Sequence, residues 1–539
     1  MHKNAFHPII YVRGYAMTQQ EIEDTVADPY MGFNVGSCKV RQLWDGKVRK
    51  YFFESPLVRL LKQYDYDDVY EDGSDCVADE RQLASGATPE ALPYRSIVIY
   101  RYYEPSSEDL CIGEQPDMKR FAIGLGKLIL DLRKRIYPQG SATVVTPEEA
   151  ARGKQPYDKF RVYLVAHSMG GLVCRAFLQN SQFGDAGARQ LVDKVFTYAT
   201  PHNGIDIGVI GNVPSWLKLY GMNTFNRDEI AQLLALSKSH RDGDNVDIIE
   251  NFDPARVFTL VGTNPGDYKA AAGLSSWAVG EASDGLVRIR NATTRGRNGK
   301  SFVHSPHAFV NRSHSGYFGI VNSEEGFQNL TRFLFGDVRA DGTLEIDELT
   351  LPPAVQQEYD NKKDIRASYL FEVTVSIRGK PWQLHRRTAD EHSAIFLKFD
   401  EIFPKREGKK KPKPAATPLL FNVFLDMGQS QTGTSFAFAA DICVRVPQYE
   451  VEGFLFLRDH FEGGYIFRDI VTLEASPPAT QDADWKIEYR YASANDSKPA
   501  KIVKNDHEVL VFEIPVEQPR PPGIKARLRV ETRYWNSGL

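Results

Sequence analysis

Tyr163-Leu164-Val165-Ala166-His167-Ser168-Met169-Gly170-Gly171-Leu172-Val173 is the stretch from which the rest of the chain is read. An apolar run of strand length meets a serine flanked by small residues, and a helical pattern over Met169 to Leu178 starts at once. A nucleophilic serine needs this arrangement. The turn is too tight for large side chains two residues before and after it, it exposes the hydroxyl, and it aims a helix N-terminus at the reacting carbonyl. Ala166 stands where glycine is commoner, and Gly170 is in place. The plainer alternative is that small residues at a close strand–helix crossing serve packing only.

On either side of the serine turn, Pro8–Val12, Ser96–Tyr100, Phe160–Val165, Val195–Tyr198 and Val257–Val261 read as strands. Helical patterns separate them, one from an Asp117 N-cap to Ile136 and a last one from near Asn322 to a Gly336 stop. This alternation predicts a mostly parallel sheet covered by helices. The connection between Val12 and Ser96 is too long for a bare loop and must carry structure of its own. Beyond Ala340 the runs from Leu370–Ile377 to Ala526–Thr532 are strand-like and turn-separated, which predicts an all-β, sandwich-like domain. The expected division is an α/β domain over 1–340, with insertions 18–94 and 205–250, and a β-rich domain over 341–539.

Composition narrows the partners. The 539 residues are 42% hydrophobic and 25% charged, the balance of a chain with a large core. Lys plus Arg total 66 against 70 Asp plus Glu, a net charge of −4 that gives no general attraction to nucleic acid or an anionic membrane. Lys405–Pro414 (KREGKKKPKP) is read as a solvated loop or as a local anchor for anionic lipid. Asp65–Glu80 holds eight acidic residues and no basic one. It is read as a solvated loop, because Tyr70 falls where a calcium loop needs an oxygen ligand. No apolar run reaches the roughly 18–20 residues of a membrane-spanning helix. Met1–Ala16 also lacks a secretory pattern, so a cytoplasmic location is the default expectation, with signal-independent export left open. Cys38, Cys76, Cys111, Cys174 and Cys443 are scattered, without a Cys-x-x-Cys pair, and predict free thiols. Neither a metal nor a cofactor is expected.

Four further motifs join the serine turn: Pro8-Ile9-Ile10-Tyr11-Val12-Arg13-Gly14-Tyr15, Thr200-Pro201-His202-Asn203-Gly204, Ser283-Asp284-Gly285-Leu286-Val287 and Ser313-His314-Ser315-Gly316. With them the chain resembles the α/β-hydrolases of the lipase and esterase kind. The resemblance implies the α/β-hydrolase fold with a cap insertion, Ser168 as nucleophile, Asp284 as acid and His314 as base. It also implies an oxyanion hole from the amides of Met169 and Tyr15, with Arg13 where histidine is usual. The Thr-Pro-His-x-Gly turn is similar to one found in many lipases and in the deacylases that trim lipid anchors. Chemistry asks for the same residue types. A serine hydroxyl needs an imidazole to take its proton near neutral pH, and a carboxylate must hold that ring in one tautomer.

Competitors exist for each role. Asp267 is the runner-up acid. His304 and His307 lie in Ser301–Val310, whose alternation predicts a strand, and are read as pocket or packing residues. His202 is read as a structural residue of its turn. The His167 ring is expected to point away from the serine, and it is grouped with Trp216 and Leu217 as substrate-binding. The apolar excess of Ile205–Glu250, with Ile230, Leu233, Leu234 and Leu236 on an amphipathic segment, suggests a cap over an acyl pocket; a packed insertion is the alternative.

The expected activity is hydrolysis of carboxylic esters through an acyl-serine, lipid-like esters favoured. Alternatives are a phospholipase or lipid deacylase, including an exported effector, an acyltransferase, and a non-catalytic hydrolase-like binding protein. The expected partner is a small-molecule or lipid ester and not nucleic acid, with peripheral contact to membrane or aggregated lipid left open. Oligomeric state is not legible.

Overall fold

The computed structural model describes residues 6–14, 33–42, 46–71, 74–75, 91–100, 118–204, 227–265, 283–284, 287–299, 301–316, 319–403, 416–430, 435–452, 458–476, 485–506 and 508–536. The chain divides into two compact units. One comprises Met1–His307 with Asn311–Phe335, the other Ala308–Val310 with Gly336–Gly538.

A seven-stranded sheet organises the first part of the chain. Its strands are β1 (Ile9–Val12), β2 (Asp67–Asp68), β3 (Ser96–Tyr100), β4 (Val162–His167), β5 (Val192–Tyr198), β6 (Val257–Gly262) and β7 (His307–Val310), in the order β7-β6-β5-β4-β1-β3-β2. The β2–β3, β3–β1, β1–β4, β4–β5 and β5–β6 pairs are all parallel. Strands covered on both faces read as mostly apolar runs without alternation, and β1, β4, β5 and β6 are buried from end to end. The helices are α1 (Pro56–Tyr64), α2 (Met118–Ile136), α3 (Met169–Gln179), α4 (Arg227–Leu233) and α5 (Glu324–Phe335). On α2 the stripe Phe121, Leu125, Leu128, Ile129 and Leu132 is buried, the i, i+3, i+4 spacing that puts one helix face on a core. Gly126 lets α2 approach α3, since a Cβ there would lie 2.9 Å from the Phe177 ring. Removing a core side chain such as the fully buried Leu125 should cost about 2–5 kcal/mol. This is the α/β-hydrolase fold.

The structure revises several local expectations. Asp67–Asp68, read as part of an acidic loop, is edge strand β2, and Asp65 ends α1 in the left-handed region at φ 56°. The long connection carries an antiparallel hairpin, Ser37–Gln42 with Val48–Phe53, followed by α1. Ser301–Val310 is two strands, Ser301–His304 in a small three-stranded sheet and β7 in the large one, because Pro306 offers no N–H to continue a ladder. Helix α5 starts at Glu324, with the Ser323 hydroxyl accepting from the Gly326 amide. Asp117 and Lys405–Pro414 lie outside the described residues.

The second unit is built from two antiparallel sheets and fits a β-sandwich. One orders Leu419–Leu425, Val338–Thr350, Gly523–Tyr534, Val509–Gln518 and Lys501–Asn505; the other runs from Gln383–Arg387 through Ile365–Ile377, Phe436–Glu452 and Arg458–Ser476 to Lys486–Tyr491 and Lys498–Pro499. Val338–Thr350 and Ile365–Ile377 alternate buried and half-exposed residues, the period-2 pattern of a sheet with one face on a core. Phe421 of the first sheet meets Phe438 of the second edge to face, ring centroids 5.8 Å apart. Among the described residues no helix is long and apolar enough to cross a membrane.

Candidate active site

Strand β4 delivers Ser168 at its C-terminal end, and α3 begins at the next residue. Ser168 has φ 52° and ψ −127°, a conformation that non-glycine residues seldom adopt. Close neighbours hold it there. A Cβ at Gly170 would lie 2.2 Å from the Val12 carbonyl oxygen, and one at Gly171 would lie 2.2 Å from Thr200 Oγ1, so only glycine fits at either place. The Ser168 amide donates to the Tyr198 carbonyl at 2.9 Å, and the Thr200 hydroxyl donates to the Ser168 carbonyl at 2.8 Å. The Thr-Pro-His-Asn-Gly turn therefore buttresses the serine turn from the adjacent strand end.

His314 and Asp284, from two segments later in the chain, reach the same place. The Ser168 hydroxyl lies 2.9 Å from His314 Nε2, and His314 Nδ1 lies 3.1 Å from Asp284 Oδ2. With the serine proton directed at Nε2, the other nitrogen must carry its own proton toward the carboxylate. Asp284 Oδ1 accepts the Val287 amide at 2.8 Å, and the His314 amide donates to the Asp284 carbonyl at 2.9 Å, so the acid is fixed by backbone as well as by the ring. Both side chains are almost wholly buried. Gly262, at the end of β6, is required by this closeness: a Cβ there would meet the Arg312 carbonyl oxygen at 2.6 Å and Asp284 Cβ at 2.8 Å.

The loop carrying His314 is tied at further points. Arg312 forms a buried ion pair with Glu325 in the first turn of α5, Nη2 to Oε2 2.7 Å. The Ile320 amide donates to the Ser313 carbonyl at 3.0 Å. His167 adds a tie of its own, its Nε2–H donating to the His314 carbonyl at 3.0 Å, with the two rings 5.0 Å apart. Burial, followed by the nearby His314, lowers the His167 pKa to about 3, so this ring is neutral at any working pH. Its Nδ1 lies against Gly14, where a Cβ would be 2.8 Å away. His167 thus bridges the base loop and the end of β1, a placement that gives it no exposed face for substrate.

Met169 heads α3 directly after the serine, with its amide at the helix N-terminus. Tyr15, Trp216, Leu217 and Asp267 lie outside the described residues. His202 is buried with Nε2 3.0 Å from Thr197 Oγ1, and desolvation holds its pKa well below the usual value. His307 sits in β7 with Nδ1 2.9 Å from the Ser305 carbonyl, and His304 stacks obliquely 5.7 Å from it. Ile230, Leu234 and Leu236 belong to the hydrophobic core that includes α2 and α3, and Asn180 at the end of α3 donates to the Leu233 carbonyl at 2.9 Å. That part of the 205–250 segment is therefore packing and not cap.

Arg175 and the Arg312–Glu325 pair escaped the sequence reading. Arg175, wholly buried in α3, donates to the carbonyls of His202, Val246 and Ile248 at 2.8, 2.9 and 3.0 Å, and desolvation lowers its pKa to about 10. An arginine inside the apolar run Leu172-Val173-Cys174-Arg175-Ala176-Phe177 was the available signal. The Arg312–Glu325 pair had none, because nothing in the spacing announces a contact across a loop. Among the described residues no three His, Cys, Asp or Glu side chains are grouped to hold a metal.

A family described as the PGAP1-like alpha/beta domain matches residues 135–235, which hold β4, Ser168, α3, β5 and the Thr-Pro-His-Asn-Gly turn. No curated protein matches the chain. Among solved structures, a protein assigned as a cell surface hydrolase from Lactobacillus plantarum WCFS1 aligns with 12% identity over 61% of this chain and 90% of its own, TM-score 0.21. A Tle4–Tli4 complex aligns with 15% identity over 49% of this chain and 59% of its own, TM-score 0.16. Superpositions this loose carry no argument. The family match and the sheet make the first unit a hydrolase-like α/β domain, and the chain resembles the α/β-hydrolases.

Proposed function

We propose that this domain hydrolyses carboxylic esters through an acyl-Ser168 intermediate, with lipid-like acyl groups favoured. The observation that carries the proposal is the unbroken line from Ser168 Oγ to His314 Nε2 and from His314 Nδ1 to Asp284 Oδ2, at 2.9 and 3.1 Å. In the first step His314 takes the serine proton while Oγ attacks the ester carbonyl, and Asp284 stabilises the imidazolium that forms. The tetrahedral oxyanion needs backbone donors, which we assign to the amides of Met169 and Tyr15. Collapse expels the alcohol, which takes the proton back from His314. Water, deprotonated by the same ring, then attacks the acyl carbon, and His314 returns the proton to Ser168 Oγ as the acyl–oxygen bond breaks and the acid leaves. Admission of an alcohol in place of water would turn the same machinery to acyl transfer.

Lipid deacylation is the second reading, favoured by the Thr200–Gly204 turn that braces Ser168 and is similar to the turn of lipid-anchor deacylases. Trp216 and Leu217 remain the proposed wall of the acyl pocket, and we assign the chain to act at the surface of membrane or aggregated lipid. A panel of nitrophenyl esters of increasing chain length, triglycerides and phospholipids tests the reading. Turnover that depends on Ser168 and rises with acyl length supports it; inertness toward every ester in the panel contradicts it.

A further inference from the structure

Among the described residues of the first unit, the hairpin Ser37–Gln42/Val48–Phe53 exposes large apolar side chains close together in sequence. Phe52 is 79% exposed and Val48 60%, and Val35 just before the hairpin is 38% exposed. Strand periodicity sets Val48, Lys50 and Phe52 on one face, and Lys47 and Lys50 are exposed with them. Ser37–Phe53 contains five basic residues against one acidic, in a chain whose net charge is −4. The next carboxylate, Glu54, is already paired with Lys62 at 2.6 Å. An isolated large apolar side chain is ordinary on a protein surface. Exposed apolar groups alternating with lysine on one face of a strand are the composition that partitions into an anionic interface.

The root of the hairpin lies close to the site. Phe33, fully buried, stacks on Tyr11 of β1 with ring centroids 4.6 Å apart, and its carbonyl accepts the Leu57 amide of α1 at 3.1 Å. Tyr11 precedes Val12, whose register partner is Ala166, two residues before Ser168. From α1, Arg59 pairs with Glu324 in the first turn of α5, the helix that follows the His314 loop.

We propose that this hairpin is an interfacial anchor that holds the Ser168 edge of the sheet against an anionic lipid surface. Its purpose rests on the lipid-ester reading above, but binding is measured apart from it. Full-length Ser168→Ala protein is sedimented with vesicles of phosphatidylcholine alone and of phosphatidylcholine with phosphatidylserine, at low and high salt. The expected result is salt-sensitive binding to the anionic vesicles that falls about fivefold for each lysine neutralised in Lys47→Gln and Lys50→Gln, and that is lost in Val48→Ser/Phe52→Ser. In the Ser168 background these hairpin variants keep their turnover of a soluble short-chain ester, which shows that they fold. Binding unchanged in the hairpin variants, or removed only by neutralising Lys405–Pro414, overturns the proposal. A parent protein that ignores anionic vesicles overturns it as well. Failure of the hydrolase reading shows separately, as loss of ester turnover in protein that still binds.

Discussion

His167 Nε2–H donates a hydrogen bond to the backbone carbonyl of His314 at 3.0 Å, so the residue before the candidate nucleophile holds the candidate base. A carbonyl can only accept, which fixes the His167 tautomer with hydrogen on Nε2 and leaves Nδ1 bare against Gly14. His167→Leu keeps the volume and loses the tie. It should lower kcat by about 10- to 100-fold, as expected for a mispositioned base, with KM little changed. His167→Gln, which can still donate, should recover part of the loss. A rise in KM alone, or equal damage in both variants, would return His167 to the substrate-binding role that the sequence suggested.

Asp284 and His314 make separable predictions. Asp284→Asn leaves the fold intact but presents a donor where an acceptor is needed, and should reduce turnover on the order of 10⁴-fold. His314→Ala should be at least as damaging, whereas His304→Ala should leave most of the activity, since nothing ties that ring to Ser168. Steady-state rates on a soluble ester decide the matter. An essential His304 beside a dispensable His314 contradicts the assignment.

Gly170 tests the tight turn. Its missing Cβ is 2.2 Å from a backbone oxygen that cannot swing aside, while Gly464 has open space around it. Gly170→Ala should destabilise the protein by at least about 1–3 kcal/mol, with Gly464→Ala near neutral, as read from urea midpoints. Equal midpoints would mean that the Val12–Ser168 crossing is looser than described.

Much of this was legible because it is local. The serine turn, β3 at Ser96–Tyr100 and α3 all follow from residues adjacent in sequence, and the motifs that hold Ser168, Asp284 and His314, which the structure brings together, are each a few residues long. What the sequence hid was non-local. The amphipathic pattern around Ile230, Leu234 and Leu236 says that one face is covered, and it reads alike for a cap and for a packed helix. Ser301–Val310 alternated like one strand, and only the weight given to Pro306 would have split it. The hairpin in the long connection did carry a local mark, Asp45-Gly46 between alternating residues, which is a turn signal in its own right.

Buried neutral histidines predict the acid stability. Burial lowers His7 and His167 from 6.5 to about 3 and holds His202 well below 6.5. The folded-state values are depressed, so from pH 6.5 downward the unfolded chain takes up protons that the folded chain refuses. The stabilising contribution is complete above pH 6.5 and is lost as pH falls, for His7 and His167 toward pH 3 at about 2 kcal/mol each by pH 5. Urea midpoints should therefore drop steeply between pH 7 and 5. His7→Phe, at a site braced by Tyr94 and Tyr163, should shed its share of that dependence. A flat profile, or one unchanged in His7→Phe, contradicts the burial account.

The central claim is that Ser168 is an activated nucleophile, and covalent labelling with a fluorophosphonate tests it directly, because an unactivated serine does not react. Intact protein should gain one adduct, mapped by peptide mass spectrometry to Ser168, and Ser168→Ala should gain none. An adduct on another residue, undiminished labelling of Ser168→Ala, or no labelling of folded protein would contradict it.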